Sequence, residues 1–257
     1  MKALKRLAQC LLAAVIIAIA LLSVGCKGNL SKFGKYEEAS RYSIGNFTYS
    51  ANTVTNVDIE WVSGNVEIVQ SDKSVLTVTE ISPSTVDAQK MHYYMDGNTL
   101  LIKYCQSGLK LNFDAGLKDL RVEIPAGIDL EIESVNAAVS IGEATLDELS
   151  AETVSGSITA EKLTAKEISM EAVGGSLSLE LAGACKDVDL ETIGGKVTLT
   201  LLNGLGAKIE FATLGGKFKT ERKYEKSGRR YDVFGEDGVS TECSVSVDTV
   251  GGNLTVR

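Results

Sequence analysis

Apolar and polar residues alternate along most of the chain, in runs of five or six residues separated by small or polar ones. A period of two is typical of half-buried β-strands, because successive side chains point to opposite faces. Six segments repeat one pattern: an alternating run, a small residue, a branched residue or Leu, two tiny or polar residues, and a second alternating run. The segments are 129–141, 149–160, 167–179, 187–199, 208–219 and 244–256. The sequence therefore predicts an all-β repeat fold.

The spacing of the repeats predicts how they pack. Their anchor residues are Val135, Val154, Val173, Ile193, Leu214 and Val250, which are 19, 19, 20, 21 and 36 residues apart. One repeat cannot bury its own apolar face, so we expect each coil to lie directly on the previous one. Val188 and Leu190 would point inward from the first strand of a coil, and Val197 and Leu199 from the second. This arrangement is a parallel β-solenoid, with an antiparallel meander or sandwich as the alternative, and 220–243 is an inserted loop.

The middle of each repeat predicts a corner between its two strands. A Gly pair permits positive φ, so the chain can turn there. The small residue before the turn fits a crowded position where coils stack. These small residues are Ser134, Thr153, Ala172, Thr192, Thr213 and Thr249.

The region 44–124 also reads as β-structure, but without clean repeats. Strands are expected at 57–69, 75–81, 99–104 and 118–125. A solenoid needs a polar end cap, and we expect 44–124 to be an irregular β cap region that precedes the repeat solenoid of 125–257.

The first 25 residues form a targeting segment. Lys2, Lys5 and Arg6 precede an apolar stretch that ends in Leu22-Ser23-Val24-Gly25-Cys26. Small residues before a Cys are what a lipoprotein signal peptidase accepts, so we expect cleavage after residue 25 and a lipid on Cys26. Residues 26–43 would be a polar tether to the extracytoplasmic side of a bacterial membrane. The alternative is an uncleaved anchor helix with an incidental Cys.

Charge and cysteine content narrow the function classes. Loss of three basic residues by cleavage changes the formal charge from −8 to −11, which makes nucleic acid a poor partner. Beyond the lipid site only Cys105, Cys185 and Cys243 remain, so at most one disulfide forms among them. There is no CxxC pair, and we expect no metal and no cofactor.

Several segments together resemble a known family. IPAGIDLEIESV, the serial units ETVSGSI, EAVGGSL, ETIGGKV and DTVGGNL, and the closing GEDGVSTECSVSVDTVGGNLTV are similar to the bacterial β-strand-repeat family labelled "putative adhesin" and to the auto-transporter adhesin head domain. The resemblance covers about residues 50–257. It implies a right-handed β-helix with two short strands per coil in an envelope protein, and it carries over no catalytic residues. Asn136-Ala137 departs from the usual Gly, so the first coil is atypical.

Stacked coils would align carboxylates into a column on the outer face of the first strands. Its members are Glu133, Glu152, Glu171, Glu191 and Asp248, with Glu131, Asp189 and Glu210 two positions earlier in their repeats. Carboxylates one strand apart repel each other, so they splay into water, change pKa or share a cation such as Ca²⁺. No calcium-binding loop motif occurs, and we expect a solvated face without a bound metal.

The inserted loop gathers basic and aromatic residues on an acidic protein. The candidate partner-binding residues are Arg222, Lys223, Tyr224, Lys226, Arg229, Arg230 and Tyr231. Such residues suit either contact with an anionic envelope polymer or protein, or a lid over the last coil. The terminal strand NLTVR has no cap after it, so its open edge would permit a homodimer.

The leading hypothesis is a non-enzymatic, lipid-anchored envelope protein that serves in adhesion, scaffolding or ligand display. One alternative is an enzyme that acts on polysaccharide through the acidic face, and another is a sensory or regulatory accessory lipoprotein. His92 is the only His, no nucleophile motif accompanies it, and we expect it at the surface.

Overall fold

A computed structural model describes residues 35–109, 118–236 and 243–257. The predicted signal peptide and Cys26 lie outside these residues. Within them the chain forms 21 strands and three short 3₁₀ helices, Ala39–Arg41, Ala51–Thr53 and Asp87–Gln89. No helix in the described part of the chain is both long and apolar enough to span a membrane.

The strands follow the alternating runs of the sequence. They are β1 (Ser43–Ile44), β2 (Phe47–Ser50), β3 (Asn56–Gln70), β4 (Val75–Ile81), β5 (His92–Asp96), β6 (Thr99–Lys103), β7 (Asp119–Ile124), β8 (Asp129–Ile141), β9 (Ala144–Thr145), β10 (Glu148–Thr153), β11 (Ile158–Thr164), β12 (Glu167–Ala172), β13 (Leu177–Leu181), β14 (Asp187–Thr192), β15 (Val197–Leu201), β16 (Ala207–Leu214), β17 (Phe218–Thr220), β18 (Tyr224–Ser227), β19 (Arg230–Val233), β20 (Ser244–Val250) and β21 (Leu254–Val256).

Two parallel ladders organise these strands. The first ladder runs β6, β3, β8, β10, β12, β14, β20, β16, and the second runs β7, β3, β8, β11, β13, β15, β21, β17. The long strands β3 and β8 belong to both ladders, so all the strands form one continuous mixed sheet. Each coil thus contributes a first and a second strand, which is the β-solenoid-like arrangement that the repeats predict.

The predicted inward residues fill the interior. Val188, Leu190, Val197 and Leu199 are all fully buried and belong to one hydrophobic cluster with their counterparts from the other coils. Because every strand pairs in register with the next coil, like side chains stack on like side chains. The prediction of a shared interior made from stacked repeats is confirmed.

The corners confirm the sequence-based expectation in some repeats and differ from it in others. Gly215 and Gly251 have positive φ, 99° and 88°, as predicted. Gly175 and Gly195 do not have positive φ. They are needed because a Cβ on Gly175 would lie 1.6 Å from the carbonyl oxygen of Gly156 in the neighbouring coil. The Thr before the corner is buried and holds it, since the N–H of Gly195 donates to Thr192 Oγ1 at 3.1 Å. Close stacking of backbone, rather than backbone turning, therefore explains Gly175 and Gly195.

The order of coils in space departs from the order in sequence at both ends. Strands β20 and β21 of the last repeat lie between the coil 187–201 and the coil 207–220. At the other end, β3 lies between β8 and the later strands β6 and β7. The expectation that each coil lies on its predecessor holds from 129 to 201. It is wrong for the coil of β20 and β21 and for the coil of β3.

Antiparallel strands close both ladders at the amino-terminal end of the solenoid and the first ladder at the opposite end. At the amino-terminal end β5 and β1 extend the first ladder, and β4 and β2 extend the second. At the opposite end the hairpin of β18 and β19 pairs with β16. Because β21 is paired on both sides, the predicted open edge at NLTVR does not exist, and a homodimer cannot form through it without displacing a neighbour.

Two further expectations change near the amino-terminal end. Part of the predicted tether is docked, since the hydroxyl of Tyr36 donates to the carbonyl of Cys105 at 3.1 Å and its ring contacts Tyr42. The predicted surface residue His92 is instead buried, with Nδ1 2.9 Å from the carbonyl oxygen of Lys90. A free tether therefore extends no further than the residues before Tyr36.

Candidate functional site

The first ladder aligns the predicted carboxylates. Strand pairing puts Glu133, Glu152, Glu171, Glu191 and Asp248 at equivalent positions of successive coils, and Glu60 of β3 extends the row. We call these six residues the acidic column. Lys103 ends it, with Nζ 2.7 Å from Glu60 Oε1 and 3.6 Å from Asp58 Oδ2. The sequence predicted the column. It did not predict that Lys103 ends it, because β6 follows β3 in the sequence but pairs with β3 on the side away from β8.

Crowding and burial change the protonation of the column. Burial, and then the neighbouring Glu60 and Glu152, raise the pKa of Glu133 to about 7. Burial also raises the pKa of Glu152 and of Glu171, each with a contribution from the next carboxylate along the row. These side chains are half-buried, so water screens much of the repulsion.

A groove of about 530 Å³ runs along the same ladder beside the column. Its acidic lining comprises Asp58, Asp129, Glu131, Glu148, Glu167, Asp187 and Asp189. Among the described residues, no group of three His, Cys, Asp or Glu side chains is arranged to hold a metal ion. Chemically, the groove is an extended anionic surface on a rigid sheet.

The acidic column makes the stability of the protein depend on pH. The pKa of Glu133 rises on folding from 4.5 to about 7, so the folded state binds more protons than the unfolded state between these values. We expect the melting temperature to rise as the pH falls from 8 toward 5, and to level off near pH 4.5. Thermal unfolding followed by circular dichroism measures this.

Glu133→Gln is expected to flatten that pH dependence, because it removes the carboxyl that faces Glu60, Glu152, Asp58 and Glu131. The matched control is Glu143→Gln, which removes an exposed carboxylate paired with a Lys outside the column. A melting temperature that falls steadily from pH 8 to pH 5 would contradict the prediction.

The structure brings the predicted basic and aromatic residues together at the end of the solenoid. The hairpin 224–233, which we call the tip hairpin, covers the last coil through pairing of β19 with β16. Tyr231 is buried and stacks on Phe218 at 3.9 Å, while Tyr224 stays 45% exposed. This geometry agrees with the lid interpretation of the loop and leaves its outer surface accessible.

The basic residues of this end divide into two groups. Arg222 is structural: one nitrogen of its guanidinium donates to the carbonyls of Leu205 at 2.6 Å and Phe234 at 3.0 Å, and the other to that of Leu201 at 3.3 Å. The other four residues, Lys223, Lys226, Arg229 and Arg230, are exposed. These four are available to a partner, as are the exposed Lys217 and Lys219 of the last coil, and Arg230 also contacts Asp232.

A buried ion pair lies in a region where the alternating pattern predicts only strands. Lys118 Nζ lies 2.8 Å from Glu80 Oε1, and the two side chains are 8% and 0% exposed. Lys118 also donates to the carbonyl of Gln89 at 2.7 Å and lies over the ring of Tyr104. The signal was available: Lys118 and Glu80 occupy the inward-facing positions of their alternating strands, two residues from Leu120 and Val78.

A disulfide fixes the inserted last coil. Cys185 and Cys243 are bonded, with their Cα atoms 5.1 Å apart, and they lie just before β14 and β20, the first strands of two neighbouring coils. Cys105 is a free, buried thiol, and burial raises its pKa to about 11. Of the three cysteines after Cys26, two are therefore paired, and the third is a buried thiol with little thiolate at neutral pH.

We expect alkylation to separate these cysteines. A fragment of residues 27–257 should take up no iodoacetamide in the native state, one equivalent at Cys105 when denatured, and three when denatured and reduced. Mass spectrometry of the alkylated peptides measures this. Three equivalents without a reductant would contradict the Cys185–Cys243 bond.

These features define a class of protein: a repeat β-solenoid, capped by antiparallel strands, with an acidic face and a basic tip. The chain belongs to the Toastrack DUF4097 family, whose pattern matches residues 54–256. This family is consistent with the predicted resemblance to adhesin-like β-repeat proteins. No functionally curated protein matches the sequence.

Solved structures give further similarities. A protein described as a putative cell adhesion protein from Clostridium sporogenes is 15% identical, with a TM-score of 0.48 over 84% of this chain and 96% of that chain. One described as a putative adhesin from Bacteroides fragilis is 16% identical, with a TM-score of 0.49 over 84% and 97%. One described as a putative lipid binding protein from Parabacteroides distasonis is 13% identical, with a TM-score of 0.30 over 83% and 97%.

Proposed function

We propose that this protein is a non-enzymatic envelope lipoprotein, anchored through Cys26 on the extracytoplasmic side of a bacterial membrane, that displays a binding surface as an adhesin or scaffold does. We further propose that its coils wind in a right-handed sense. The observation that carries the proposal is the tip hairpin, which presents exposed cations at one end of an otherwise acidic solenoid. The Cys185–Cys243 bond supports an oxidising compartment outside the cytoplasm.

The solenoid has a direction relative to its anchor. The chain arrives at Tyr36, whose backbone N–H donates to Ser107 Oγ at 3.0 Å, just after β6 of the first coil in space. The tip hairpin lies beyond the eighth coil. Seven steps at a strand spacing of about 4.8 Å separate the two ends by roughly 34 Å. A protein anchored at Cys26 would therefore present the tip hairpin away from the membrane.

The tip end of the solenoid has a net positive charge, whereas the chain as a whole is acidic. Residues 207–236 contain eight basic and five acidic residues, a net charge of +3 on a chain whose overall charge is −8. Such a tip attracts a polyanion while the acidic sides repel it, so contact is restricted to one end. The ligand class that this chemistry favours is an anionic envelope polymer.

The test replaces Lys223, Lys226, Arg229 and Arg230 together by Ser. Exposed ion pairs contribute about 0.2 to 1 kcal/mol each, so the loss of four should weaken binding at least about fourfold. Calorimetric titration with dextran sulfate measures the affinity, and uncharged dextran controls for binding to sugar. Arg222 is kept, because its replacement would remove its hydrogen bonds to the carbonyls of Leu201, Leu205 and Phe234.

The matched control replaces three exposed lysines in the middle of the solenoid, Lys162, Lys166 and Lys186, which pair with carboxylates on neighbouring coils. Binding should stay within about twofold of wild type, because these charges are already neutralised locally. Equal weakening by both sets would point to net charge alone and would overturn the role of the tip hairpin.

Anchoring is tested separately. Growth with a palmitate analogue should label the wild-type protein and leave Cys26→Ser unlabelled. A labelled Cys26→Ser variant would contradict the lipid site.

A further inference from the structure

We infer that the anchor-side end of the solenoid is a membrane-contact surface that rests on the lipid headgroup region. This end comprises β1, β2, the end of β4 and the 82–91 loop. The inference rests on the proposed function, because it requires the lipid at Cys26. It assigns a lipid partner to a surface that the tip hairpin and the acidic column do not use.

Exposed apolar side chains concentrate at this end. Ile44, Ile81 and Val86 are 46%, 44% and 51% exposed. In the described part of the chain, the other large exposed apolar residues are Leu214 and Tyr224, and both belong to the opposite end. An exposed group of this kind on a protein with an otherwise well-buried core marks a contact surface.

The segments that carry these residues are held beside one another. The backbone N–H of Glu80 donates to Asn46 Oδ1 at 2.8 Å, and the N–H of Gly45 donates to the carbonyl of Met91 at 3.0 Å. The chain from Ile44 onward therefore lies against both the end of β4 and the far end of the 82–91 loop. Ile44 and Ile81 therefore lie on adjoining segments, and Val86 lies in the loop that joins β4 to Met91.

Aromatic rings close the same end. Phe47 of β2 stacks on Tyr93 of β5 at 3.6 Å, and Tyr49 contacts both rings. All three rings are half-buried, so each also presents an edge outward. Tyr combines an apolar ring with a polar hydroxyl, which is the composition that favours the interface between water and lipid.

The charges of this end are neutralised locally. Lys90 Nζ pairs with Asp87 Oδ1 at 2.7 Å, and Arg41 pairs with Glu38. The first ladder, in contrast, carries the acidic column, which an anionic bilayer repels. Of these two surfaces, the anchor-side end is the one that can approach such a bilayer.

The length of the chain brings this end to the membrane. Ten peptide units separate Cys26 from Tyr36, which is docked at the first coil. Fully extended, they span at most about 35 Å. The lipid therefore holds the anchor-side end within reach of the headgroups while the tip hairpin stays farther away.

The experiment uses the full lipidated protein in vesicles of phosphatidylcholine and phosphatidylglycerol, with brominated lipids as fluorescence quenchers. Ile44→Trp places a reporter on the proposed surface, and Tyr224→Trp is the matched reporter on the tip hairpin. Trp61 is fully buried and supplies the same background to both. We expect Ile44→Trp to shift to shorter wavelength and lose intensity to the brominated lipid, while Tyr224→Trp behaves as wild type. Ile81→Trp gives a second probe of the same surface.

The outcomes separate this inference from the proposed function. If the protein floats with the vesicles but Ile44→Trp and Ile81→Trp are quenched no more than Tyr224→Trp, the membrane contact is wrong and the lipid anchor stands. If wild type and Cys26→Ser both stay in solution, the anchor is wrong and the inference falls with it. A blue shift that grows with protein concentration in the absence of vesicles would identify a second copy as the occupant and overturn the inference.

Discussion

Replacement of Lys118 by Met is expected to lower the free energy of unfolding by about 3 to 5 kcal/mol. Met keeps the length of the side chain but removes the charge that neutralises Glu80, whose side chain is 0% exposed. Glu80 Oε2 would retain the N–H of Met91, at 2.8 Å, but the carboxylate would lose its cation. The carbonyls of Gln89 and Tyr104 would lose their donor as well.

Urea denaturation followed by circular dichroism measures this loss. The control is Lys162→Met, because Lys162 and Glu143 are 58% and 74% exposed and such pairs contribute little. We expect that variant to lie within about 1 kcal/mol of wild type. If Lys118→Met lowers the free energy of unfolding by less than about 1 kcal/mol, the buried Lys118–Glu80 pair does not stabilise the folded state as predicted.

Gly175→Ala is expected to destabilise the protein by about 3 kcal/mol or more, since overpacking against backbone cannot be relieved by a side-chain rotation. The added Cβ would lie 1.6 Å from the carbonyl oxygen of Gly156 and 2.6 Å from its carbonyl carbon. To admit it, two coils must separate at the corner and break the parallel pairing on both sides. The effect should appear as a lower urea midpoint with an unchanged slope.

The adjacent residue provides a control with the same change in composition. A Cβ on Gly174 would lie 3.4 Å from the carbonyl oxygen of Val154, an ordinary contact, and Gly174 does not have positive φ. Gly174→Ala should therefore change the free energy of unfolding by less than about 1 kcal/mol in either direction. Equal losses in the two variants would rule out the close approach of coils as the reason for Gly175.

Much of the fold could be predicted because one coil repeats the chemistry of the next. Alternation identified the inward Val188 and Leu190, and constant spacing aligned Glu152 with Glu171, both of which the structure confirms. The order of coils could not be predicted in the same way. Strands β16 and β20 carry similar alternating residues, so either can pair with β14 and local pattern does not choose between them.

The candidate surfaces, like the fold, could be predicted from the sequence only in part. The sequence alone showed that the inserted loop is rich in basic and aromatic residues. It could not show that Arg222 is structural while the other cations are exposed, because Arg222 binds carbonyls from distant segments. The pairing of Cys185 with Cys243 depends likewise on the inserted position of β20. Contacts between residues far apart in sequence decide these features, and no single repeat carries them.

The position of β20 and β21 between two earlier coils constrains how the protein is made. A chain that is synthesised from its amino terminus delivers residues 244–256 after both of their neighbours. The coil 207–220 therefore cannot settle in its final site until those last residues arrive, and any earlier docking on 187–201 must be undone. Completion of the solenoid is therefore a late step, because residues 244–256 must enter between two coils that precede them in the chain.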